Sequence, residues 1–597
     1  MPEAPIPDVP NLVDLLRLRA ELRPDGLPHV FSADGEGEGE RLSHRGLDHG
    51  ARTVAAGLVG RCSAGDRALL LYPPGLDFNR AFWGCLYAGV IGIPVAPPQL
   101  SKLEAGLARL RSITANSGAR VLLTTAAVAE RLGEALPLVG GFEGLRIVAT
   151  DQLDGAAADD WSPVRITGDS VAYLQYSSGS TGDPKGVVLT HANVLANLAV
   201  IGRALRATPE SRGVVWLPTF HDMGLLSAVT LPVAADFTVW QMSPLAFVQR
   251  PLRWLRMISQ VGATHSVAPN FAYDLCARRI SAEQAAELSL SRWQVALCGA
   301  EPVQPQTLTR FAEAFAAAGF RRETLFPCFG LAEATLMVTG GPAGSGVRTL
   351  LAEPEALKEG RITAVSEADR GRALVASGEI LDGLEVRIAD GDTLEPLPEG
   401  EVGEIFVAGD SVAAGYWNNP VATEEAFGLG LGGRTGSFLR TGDLGFLRDG
   451  QLWVTGRRKD LIIVDGGNHY PQDIEFSAAS SHPAVRANGC AAFQDEDEEG
   501  AGLVLVVEVD SRYRVTADPV AAVDERIVEA AELTRTVRQA VSAAHQLRVD
   551  RLYLVKPRTI PLTSSGKIQR HACRELAASG RLADRSVLAL AVPTPAG

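Results

Sequence analysis

Short apolar runs recur along the N-terminal half of the chain and alternate with longer stretches of helical spacing. The apolar runs lie at 67–72, 90–95, 121–124, 145–149 and 171–175. Between them, residues 43–59 place Leu47, Ala51, Val54 and Leu58 on one helical face. Because short buried strands alternating with amphipathic helices form layered sheets, the pattern predicts an α/β fold with helices on the faces of a sheet.

The length of the chain indicates more than one hydrophobic core. It has 597 residues, which exceeds the usual size of a single domain. A second pattern of strands and helices begins after Lys459, so we predict a hinge at this lysine. The expected division is a large N-terminal domain of several subdomains at 1–458, including a small β subdomain at 384–407, and a smaller mobile α+β domain at 459–597. From about Arg581 onward we expect a tail.

The overall composition excludes several functional classes. A net charge of −14 argues against a nucleic-acid partner, since such binding depends on clustered Lys and Arg. The seven cysteines are scattered without CxxC spacing, which favours neither disulfides nor zinc and fits a reducing cytoplasm. The N-terminus lacks the pattern of a secretory signal, and Gly, Pro or Asp interrupts the longest apolar stretches. We therefore expect a cytoplasmic protein with no integral membrane segment.

Residues 176–191 read YSSGSTGDPKGVVLTH and have the composition of a phosphate-binding loop. The small residues at 177–182 let the backbone present N–H groups and hydroxyls to one anion, and Lys185 adds a positive charge. The segment is not a Walker A loop, because Lys185 is preceded by Pro184 and followed by Gly186. The alternative interpretation of such a run is a flexible Ser/Gly-rich linker.

Other polar residues follow apolar runs further along the chain. His221 and Asp222 follow one such run, although an adjacent His-Asp pair is more often a hydrogen-bonded turn. Glu333 alone would be an ordinary acid at the start of a helix. Asp443 and Arg457 lie beside glycines, where each alone would be a surface turn charge. The aromatic-rich stretches 241–255 and 268–276 are more typical of core than of a ligand pocket.

These segments occur in an ordered set that resembles the adenylate-forming superfamily of acyl-CoA synthetases, luciferases and peptide-synthetase adenylation domains. The set comprises the loop at 176–191, GLAEAT at 330–335, TGD at 441–443, GRRKD at 456–460 and SSGKIQR at 564–570. The resemblance implies an enzyme that uses ATP and Mg²⁺ to activate a carboxylic acid. It implies that Lys567, His221 and Glu333 are catalytic residues. Glu333 would bind Mg²⁺ together with Thr181, and His221 would gate an acyl tunnel.

The same resemblance assigns a nucleotide site. The residues expected to bind ATP are Ser177, Ser178, Gly179, Ser180, Thr181, Gly182, Lys185, Gly299, Ala300, Glu301, Phe329, Gly330, Asp443 and Arg457. Phe329 would stack on the base, whereas the family more often has Tyr there, so a contact made by the tyrosine hydroxyl would be lost. Asp443 and Arg457 would hold the ribose.

Within the superfamily the chain is most similar to the fatty acyl-AMP ligases. The similarity rests on FHDMGL at 220–225, MSPLAFVQRPLRWL at 242–255, CGAEPVQPQTLTRF at 298–311 and KDLIIVDGGNHYPQDIE at 459–475. It implies a fatty acid substrate, an acyl carrier protein in trans as acceptor, and an insertion within about 340–373 that restricts the domain motion needed for CoA. The alternatives are a fatty acyl-CoA synthetase, an amino-acid-activating domain, and an inactive nucleotide-binding or acyl-AMP-sensing protein.

Overall fold

A computed structural model describes residues 6–98, 103–177, 184–366, 371–433, 436–464, 467–497, 500–517, 526–563 and 566–587. The strands up to residue 457 are β1 (His29–Phe31), β2 (Glu40–Leu42), β3 (Arg67–Leu70), β4 (Ile91–Pro94), β5 (Val121–Thr124), β6 (Arg146–Ala149), β7 (Val171–Ser177), β8 (Lys185–Thr190), β9 (Arg212–Val215), β10 (Thr238–Gln241), β11 (His265–Ala268), β12 (Val295–Cys298), β13 (Leu325–Gly330), β14 (Met337–Gly340), β15 (Thr349–Ala352), β16 (Arg372–Ile380), β17 (Leu384–Ala389), β18 (Gly403–Gly409), β19 (Leu439–Arg448) and β20 (Gln451–Arg457).

The helices of the same part are α1 (Leu12–Leu22), α2 (His44–Leu58), α3 (Leu76–Ala88), α4 (Leu103–Ser117), α5 (Ala126–Val139), α6 (His191–Ala204), α7 (Asp222–Leu225), α8 (Leu231–Ala234), α9 (Pro244–Gln249), α10 (Leu252–Val261), α11 (Asn270–Arg279), α12 (Ala282–Ala286), α13 (Pro305–Ala314), α14 (Pro354–Lys358) and α15 (Pro420–Ala426). A π-helical turn, Leu226–Thr230, joins α7 to α8.

One sheet of the large domain has the order β6-β5-β3-β4-β7-β8, with only β8 antiparallel to its neighbour. Strands β3, β4 and β5 of this sheet are buried on both faces. Leu70 packs with α2 and α3 on one face, and Leu69 packs with α4 and α5 on the other. Burial on both faces explains why these strands read as continuous apolar runs rather than as alternating ones.

The second sheet runs β17-β18-β19-β20-β16-β14-β13-β12-β11-β9-β10-β1-β2, and β15 pairs with β16. Strands β10, β9, β11, β12 and β13 are mutually parallel, whereas the strands on the β14 side are antiparallel. The predicted small β subdomain at 384–407 corresponds to β17 and β18, which lie in this antiparallel part of the sheet, and its limits as a subdomain stay a prediction. Strands β17 and β18 extend the large sheet, because β13 and β14 pair and carry hydrogen bonding across to them.

An aromatic cluster forms the centre of the core beside this sheet. Trp254 and Trp293 lie 5.6 Å apart between ring centroids, and Tyr273 and Phe311 lie 5.0 Å apart. All four side chains are fully buried, so the prediction that 241–255 and 268–276 are mainly core is confirmed. Truncating one such ring to alanine costs about 3–5 kcal/mol of stability. Phe271 differs, because it is partly exposed and lines a cavity.

The C-terminal part has its own core. Its elements are β21 (Ile462–Val464), β22 (Gly467–His469), α16 (Pro471–Ser480), β23 (Val485–Asp497), β24 (Gly500–Val509), β25 (Arg514–Thr516), β26 (Ile527–Glu529), α17 (Ala530–His545), β27 (Arg551–Val555), α18 (Arg570–Ala578) and α19 (Arg581–Asp584). The sheet β23-β24-β27 is covered by α16 and α17 on one face and by α18 and α19 on the other.

The expected tail from Arg581 was wrong as far as residue 587. Residues Arg581–Asp584 form α19, and Leu582 is only 1% exposed against the C-terminal core. Val587 then donates its backbone N–H to the carbonyl of Leu554 at the end of β27.

Among the described residues, no helix combines the length and apolarity needed to cross a bilayer.

Candidate active site

A cavity of about 1290 Å³ opens at the carboxyl ends of β9, β11, β12 and β13 and reaches the C-terminal domain. In α/β sheets with parallel strands, ligands bind at this edge because loops from several strands converge there. The predicted site residues that line the cavity are Lys185, His221, Ala300, Glu301, Phe329, Gly330, Glu333, Asp443, Arg457, Lys459 and Lys567. The fold therefore brings together residues that are up to 382 positions apart in the chain.

The phosphate-loop predictions fall largely outside the described residues. Ser178, Gly179, Ser180, Thr181 and Gly182 all lie there, including the proposed metal ligand Thr181. Ser177 ends β7, and its backbone lies opposite Lys185 at the start of β8. The two strands therefore hold the ends of the segment at the cavity.

Lys185 and Glu333 both lie against Tyr416. The ammonium of Lys185 is 4.9 Å from the centroid of the Tyr416 ring, and the Tyr416 hydroxyl donates to Glu333 Oε1 over 2.9 Å. Burial raises the pKa of Glu333 above its ordinary value. Hydrogen bonds from its own backbone N–H and from the Tyr416 hydroxyl lower the pKa, but burial has the larger effect. Glu333 thus stands in the cavity as a partly buried carboxylate with an ordered orientation.

The segments expected to contact adenine contain positions where a side chain does not fit. A Cβ added at Gly299 would lie 2.6 Å from Cys328 Sγ, and one at Gly330 would lie 1.7 Å from the Leu336 carbonyl oxygen. Ala300, which directly follows Gly299, adopts a φ of 66°, a left-handed conformation that costs energy for a residue with a Cβ. Phe329, only 8% exposed, is the penultimate residue of β13, next to a register shift. The backbone is therefore packed closely around this wall of the cavity.

Asp443 and Arg457 are register partners on β19 and β20, with Arg457 Nε donating to Asp443 Oδ1 over 3.0 Å. The Asp443 carboxylate raises the pKa of the Arg457 guanidinium above its ordinary value. This effect outweighs burial, which lowers the pKa. Asp443 is buried, whereas the Arg457 side chain is about half exposed. The pair presents one acceptor and one donor to the cavity, which suits the hydroxyls of a sugar.

Lys567 reaches the cavity from a tight loop of the C-terminal domain. Thr563 donates its N–H to the Lys567 carbonyl, and Lys567 donates its own N–H to Thr563 Oγ1. Gly566 has a φ of 89° and rests on the Phe271 ring, where an added Cβ would lie 3.4 Å away. Burial and the Arg457 charge lower the pKa of Lys567, while Asp222, Asp443 and Glu301 oppose them.

Arg570 fastens this loop to the start of the C-terminal domain. It donates to Glu475 Oε2 and to Asp460 Oδ2, each over 2.7 Å, and only 16% of its side chain is exposed. Asp460 follows Lys459, which is exposed in a short turn after β20. The predicted hinge lysine is therefore one residue from a group that holds the Lys567 loop.

His221 and Asp222 form a close pair that lines the cavity. His221 Nδ1 lies 2.6 Å from Asp222 Oδ1, which also accepts the Met223 N–H. Burial acts against ionisation of Asp222, yet His221, Lys567 and the Met223 N–H together lower its pKa below the ordinary value. The Asp222 carboxylate fixes the orientation of the His221 imidazole ring. It thereby also fixes the direction in which the other ring nitrogen, Nε2, points.

Glu301 holds the first turn of α11. Its Oε1 accepts the Phe271 N–H over 2.6 Å, as a carboxylate at a helix N-terminus does. Burial raises the pKa of Glu301 to about 7, against the Phe271 N–H and the Lys567 charge, which lower it. Because Phe271 lies against Gly566, Glu301 connects the segment after β12 to the loop that carries Lys567.

The deep end of the cavity is an apolar tunnel along the second sheet. Two rows of side chains, each in register across neighbouring strands, face it. The first row is Val215, Val267 and Leu297, and the second, one pleat further from the carboxyl edge, is Val239, Gly213, His265 and Val295. At about 3.3 Å per residue, these four-residue strands span roughly 13 Å.

The polar groups in the tunnel wall are satisfied by the protein itself. His265 Nε2 donates to the Leu205 carbonyl over 2.8 Å, and Nδ1 lies 2.7 Å from Thr264 Oγ1. Burial lowers the pKa of His265, so the ring is neutral at physiological pH. Phe237, which precedes β10, is buried and also lines this part of the cavity. The tunnel therefore suits an unbranched apolar chain.

Sequence reasoning missed several residues that the fold places at the site. Tyr416 follows Gly415 in a loop and belongs to none of the motifs in the set. Phe271 was seen only as one of several aromatics. Arg570 is the last residue of the SSGKIQR motif, but its role as a support for the lysine loop was not predicted.

The residues present fit a magnesium ion. Mg²⁺ prefers one or two carboxylates together with phosphate oxygens and water. Glu333 supplies a cavity-facing carboxylate with one oxygen, Oε2, not used by Tyr416. Within the described part of the chain, no group of three or more His, Cys, Asp or Glu side chains forms a dedicated metal cage.

Two family matches cover most of the chain. Residues 16–417 match the family described as AMP-binding enzyme. Residues 459–584 match the AMP domain of Disco-interacting protein 2-like proteins. The second match begins at the lysine that the sequence indicated as a hinge.

Individual relatives align along nearly the full length. The chain is 42% identical to the medium-chain-fatty-acid–[acyl-carrier-protein] ligase JamA of Moorena producens over 95% of both chains. It is 37% identical to the putative fatty-acid–CoA ligase FadD21 of Mycobacterium tuberculosis over 95% of this chain and 97% of the relative. A structure of a fatty acyl-adenylate ligase from L. pneumophila, in complex with acyl adenylate and pyrophosphate, aligns with 38% identity and a TM-score of 0.74 over 97% of this chain and 98% of that one.

Proposed function

Because the chain belongs to the AMP-binding enzyme family, we propose that it is a fatty acyl-AMP ligase that activates a fatty acid with ATP and then transfers the acyl group to an acyl carrier protein. The observation that carries this proposal is the apolar tunnel that opens onto Lys567 in the same cavity. The similarity to an acyl carrier protein ligase and to an acyl-adenylate ligase structure supports it.

In the first half-reaction, a carboxylate oxygen of the fatty acid attacks the α-phosphorus of ATP. The P–O bond to the β-phosphate breaks, and pyrophosphate leaves with its electron pair, so the products are acyl-AMP and pyrophosphate. Two anions must approach each other, which requires positive charge placed in advance rather than a strong base. Lys567, partly buried in the cavity and close enough to Arg457 for that charge to lower its pKa, supplies positive charge between the carboxylate and the α-phosphate oxygens.

The remaining groups orient the nucleotide. Asp443 and Arg457 hold the ribose, Phe329 stacks on the adenine, and Lys185 together with the loop at 177–182 holds the terminal phosphates. Glu333 would hold Mg²⁺, with Thr181 as a second proposed ligand, and the ion would neutralise phosphate charge. His221, oriented by Asp222, lines the cavity and controls entry of the acyl chain.

In the second half-reaction, the phosphopantetheine thiol of a separate acyl carrier protein attacks the acyl carbonyl. The bond from the carbonyl carbon to AMP breaks, AMP leaves as an anion, and the thiol proton goes to solvent. Rotation of the C-terminal domain at Lys459 is proposed to admit the arm. A cytoplasmic location stays a prediction.

The nearest alternative is a fatty acyl-CoA synthetase, which the name of the 37% identical relative favours. The purified protein is incubated with ATP, Mg²⁺ and laurate, with either CoA or a holo acyl carrier protein. We expect acyl-AMP to accumulate with CoA present and the carrier protein to be acylated. Conversion of most laurate to lauroyl-CoA would support the alternative. The Lys567→Ala variant serves as the inactive control for both acceptors.

A further inference from the structure

Two opposite charges in the cavity face one aromatic ring instead of each other. Lys185 and Glu333 both line the cavity. Within the described part of the chain, neither forms an ion pair. The ring of Tyr416 lies 4.9 Å from the Lys185 ammonium, and its hydroxyl lies 2.9 Å from Glu333 Oε1. A cation over a ring face and a carboxylate at a phenol hydroxyl are both favourable contacts.

The backbone around Tyr416 is fastened to both charged groups. Trp417 donates its N–H to the carbonyl of Gly186, next to Lys185, over 2.7 Å. Ala413 donates its N–H to the backbone carbonyl of Glu333 over 2.9 Å. Tyr416 itself donates its N–H to Thr423 Oγ1 over 3.0 Å. The ring therefore has a fixed position between the start of β8 and the GLAEAT segment.

The ring separates groups that would otherwise attract each other strongly. Lys185 has a flexible four-carbon stem, so its ammonium could move toward the Glu333 carboxylate if the ring were absent. A lysine paired with that carboxylate would no longer be available to phosphate, and the carboxylate would no longer be available to a cation. Ion pairs that are partly removed from solvent are held more strongly than exposed ones.

We propose that Tyr416 is a positioning residue that keeps Lys185 and Glu333 apart and directs them separately to the phosphates and the metal of magnesium-bound ATP. The inference rests on the proposed function, since it takes ATP and Mg²⁺ as the ligands. Two separate contributions follow. The hydroxyl orients Glu333, and the ring holds Lys185.

Titration calorimetry of ATP separates these contributions, because no fatty acid is present and ATP is not consumed. Dissociation constants are measured with Mg²⁺ and with EDTA. In Tyr416→Phe, which keeps the ring, we expect the Mg²⁺-dependent gain in affinity to fall about tenfold while affinity in EDTA stays within about twofold. In Tyr416→Leu, we expect affinity in EDTA to fall about tenfold as well, because Lys185 pairs with Glu333.

A rescue variant tests the separation itself. In Tyr416→Leu/Glu333→Gln the carboxylate is gone, so Lys185 is released, and affinity in EDTA should return to within about threefold of the parent protein. The Mg²⁺-dependent gain should stay lost in this variant. Tyr72→Phe is the matched control, because it removes a buried hydroxyl bonded to Thr150 over 2.8 Å, away from the cavity. It should leave both affinities unchanged.

Equal losses with Mg²⁺ and with EDTA in Tyr416→Phe, or no recovery in the double variant, would overturn the inference and indicate a general packing role. An unchanged Mg²⁺-dependent gain in Tyr416→Phe would overturn it as well. These outcomes differ from a failure of the proposed function, in which the parent protein itself would not bind ATP.

Discussion

Replacing Arg372 by alanine is expected to loosen the C-terminal domain from the large domain and to increase the use of CoA. Arg372 begins β16, at the end of the segment 340–373 that the sequence indicates as an insertion. Its Nη2 lies 2.7 Å from Asp473 Oδ2 on α16, and its guanidinium carbon lies 4.5 Å from the Tyr470 ring centroid. Lys358, at the end of α14, adds a 3.4 Å hydrogen bond to Gln546.

The size of the effect follows from these contacts. A hydrogen bond between charged groups contributes about 1.5–3 kcal/mol, and a cation over an aromatic ring adds about 0.5–2 kcal/mol. The side chains of Arg372 and Asp473 are 18% and 21% exposed, so solvent weakens the pair in part. A net loss of about 2 kcal/mol would raise the population of other domain orientations roughly thirtyfold.

The assay measures lauroyl-CoA and lauroyl-AMP formed from ATP, laurate and CoA. For Arg372→Ala we expect lauroyl-CoA formation to rise by roughly ten- to thirtyfold, because the domain rotates more readily. Lauroyl-AMP formation should stay within about threefold, since no group at the cavity that contacts the nucleotide has been changed. Asp473→Ala should give a similar increase, and the double variant should add little beyond either single one.

Arg387→Ala is the matched control. Arg387 pairs with Glu385 over 2.6 Å on the same strand, and both side chains are about half exposed within the large domain. The control should leave lauroyl-CoA formation unchanged. If Arg372→Ala behaves like the control while remaining folded, the ion pair does not limit domain rotation and the reasoning is refuted.

Three further predictions concern the cavity. Lys567→Ala should lower acyl-AMP formation by at least about 10²–10³-fold with ATP binding largely intact, and near-normal adenylation would contradict its role. For Glu301, burial raises the pKa to about 7 from the ordinary 4.5, so the folded state holds a proton that the unfolded state releases. The free energy of unfolding of the parent protein should therefore fall by up to about 3 kcal/mol as pH rises from about 4.5 to about 7. Denaturant titrations at about pH 5 and about pH 8 measure this fall, and the Glu301→Gln variant should not show it. Phe237→Ala should lengthen the tunnel and shift the preferred acyl chain by roughly two or more carbons in competition assays, whereas an unchanged preference would place the end of the tunnel elsewhere.

The fold class followed from patterns within short segments. The alternation of buried strands and amphipathic helices depends on which side chains fall on one face, and this periodicity is local. This periodicity predicted the first and last residues of most strands in the first sheet to within one or two positions. It did not show that β17 and β18 extend the second sheet, because strand order depends on pairing between segments far apart in the chain. The domain boundary at Lys459 and the insertion limits stay predictions.

The candidate site divides in the same way. The sequence by itself supplied Lys185, Glu333, Asp443, Arg457 and Lys567 as members of one motif set, through its resemblance to the adenylate-forming superfamily. Only the tertiary structure decided how these residues meet. Their separations are set by sheet order and by packing of the C-terminal domain, and no local pattern encodes such distances.

The contacts of Tyr416 show this difference most directly. Tyr416 lies 83 residues from Glu333 and 231 from Lys185 in the chain, yet the loop after β18 places its ring between them. The sequence determines the chemistry that each residue can offer. Tertiary structure decides which charges are kept apart, because only the packed backbone fixes where a side chain from a distant segment lies.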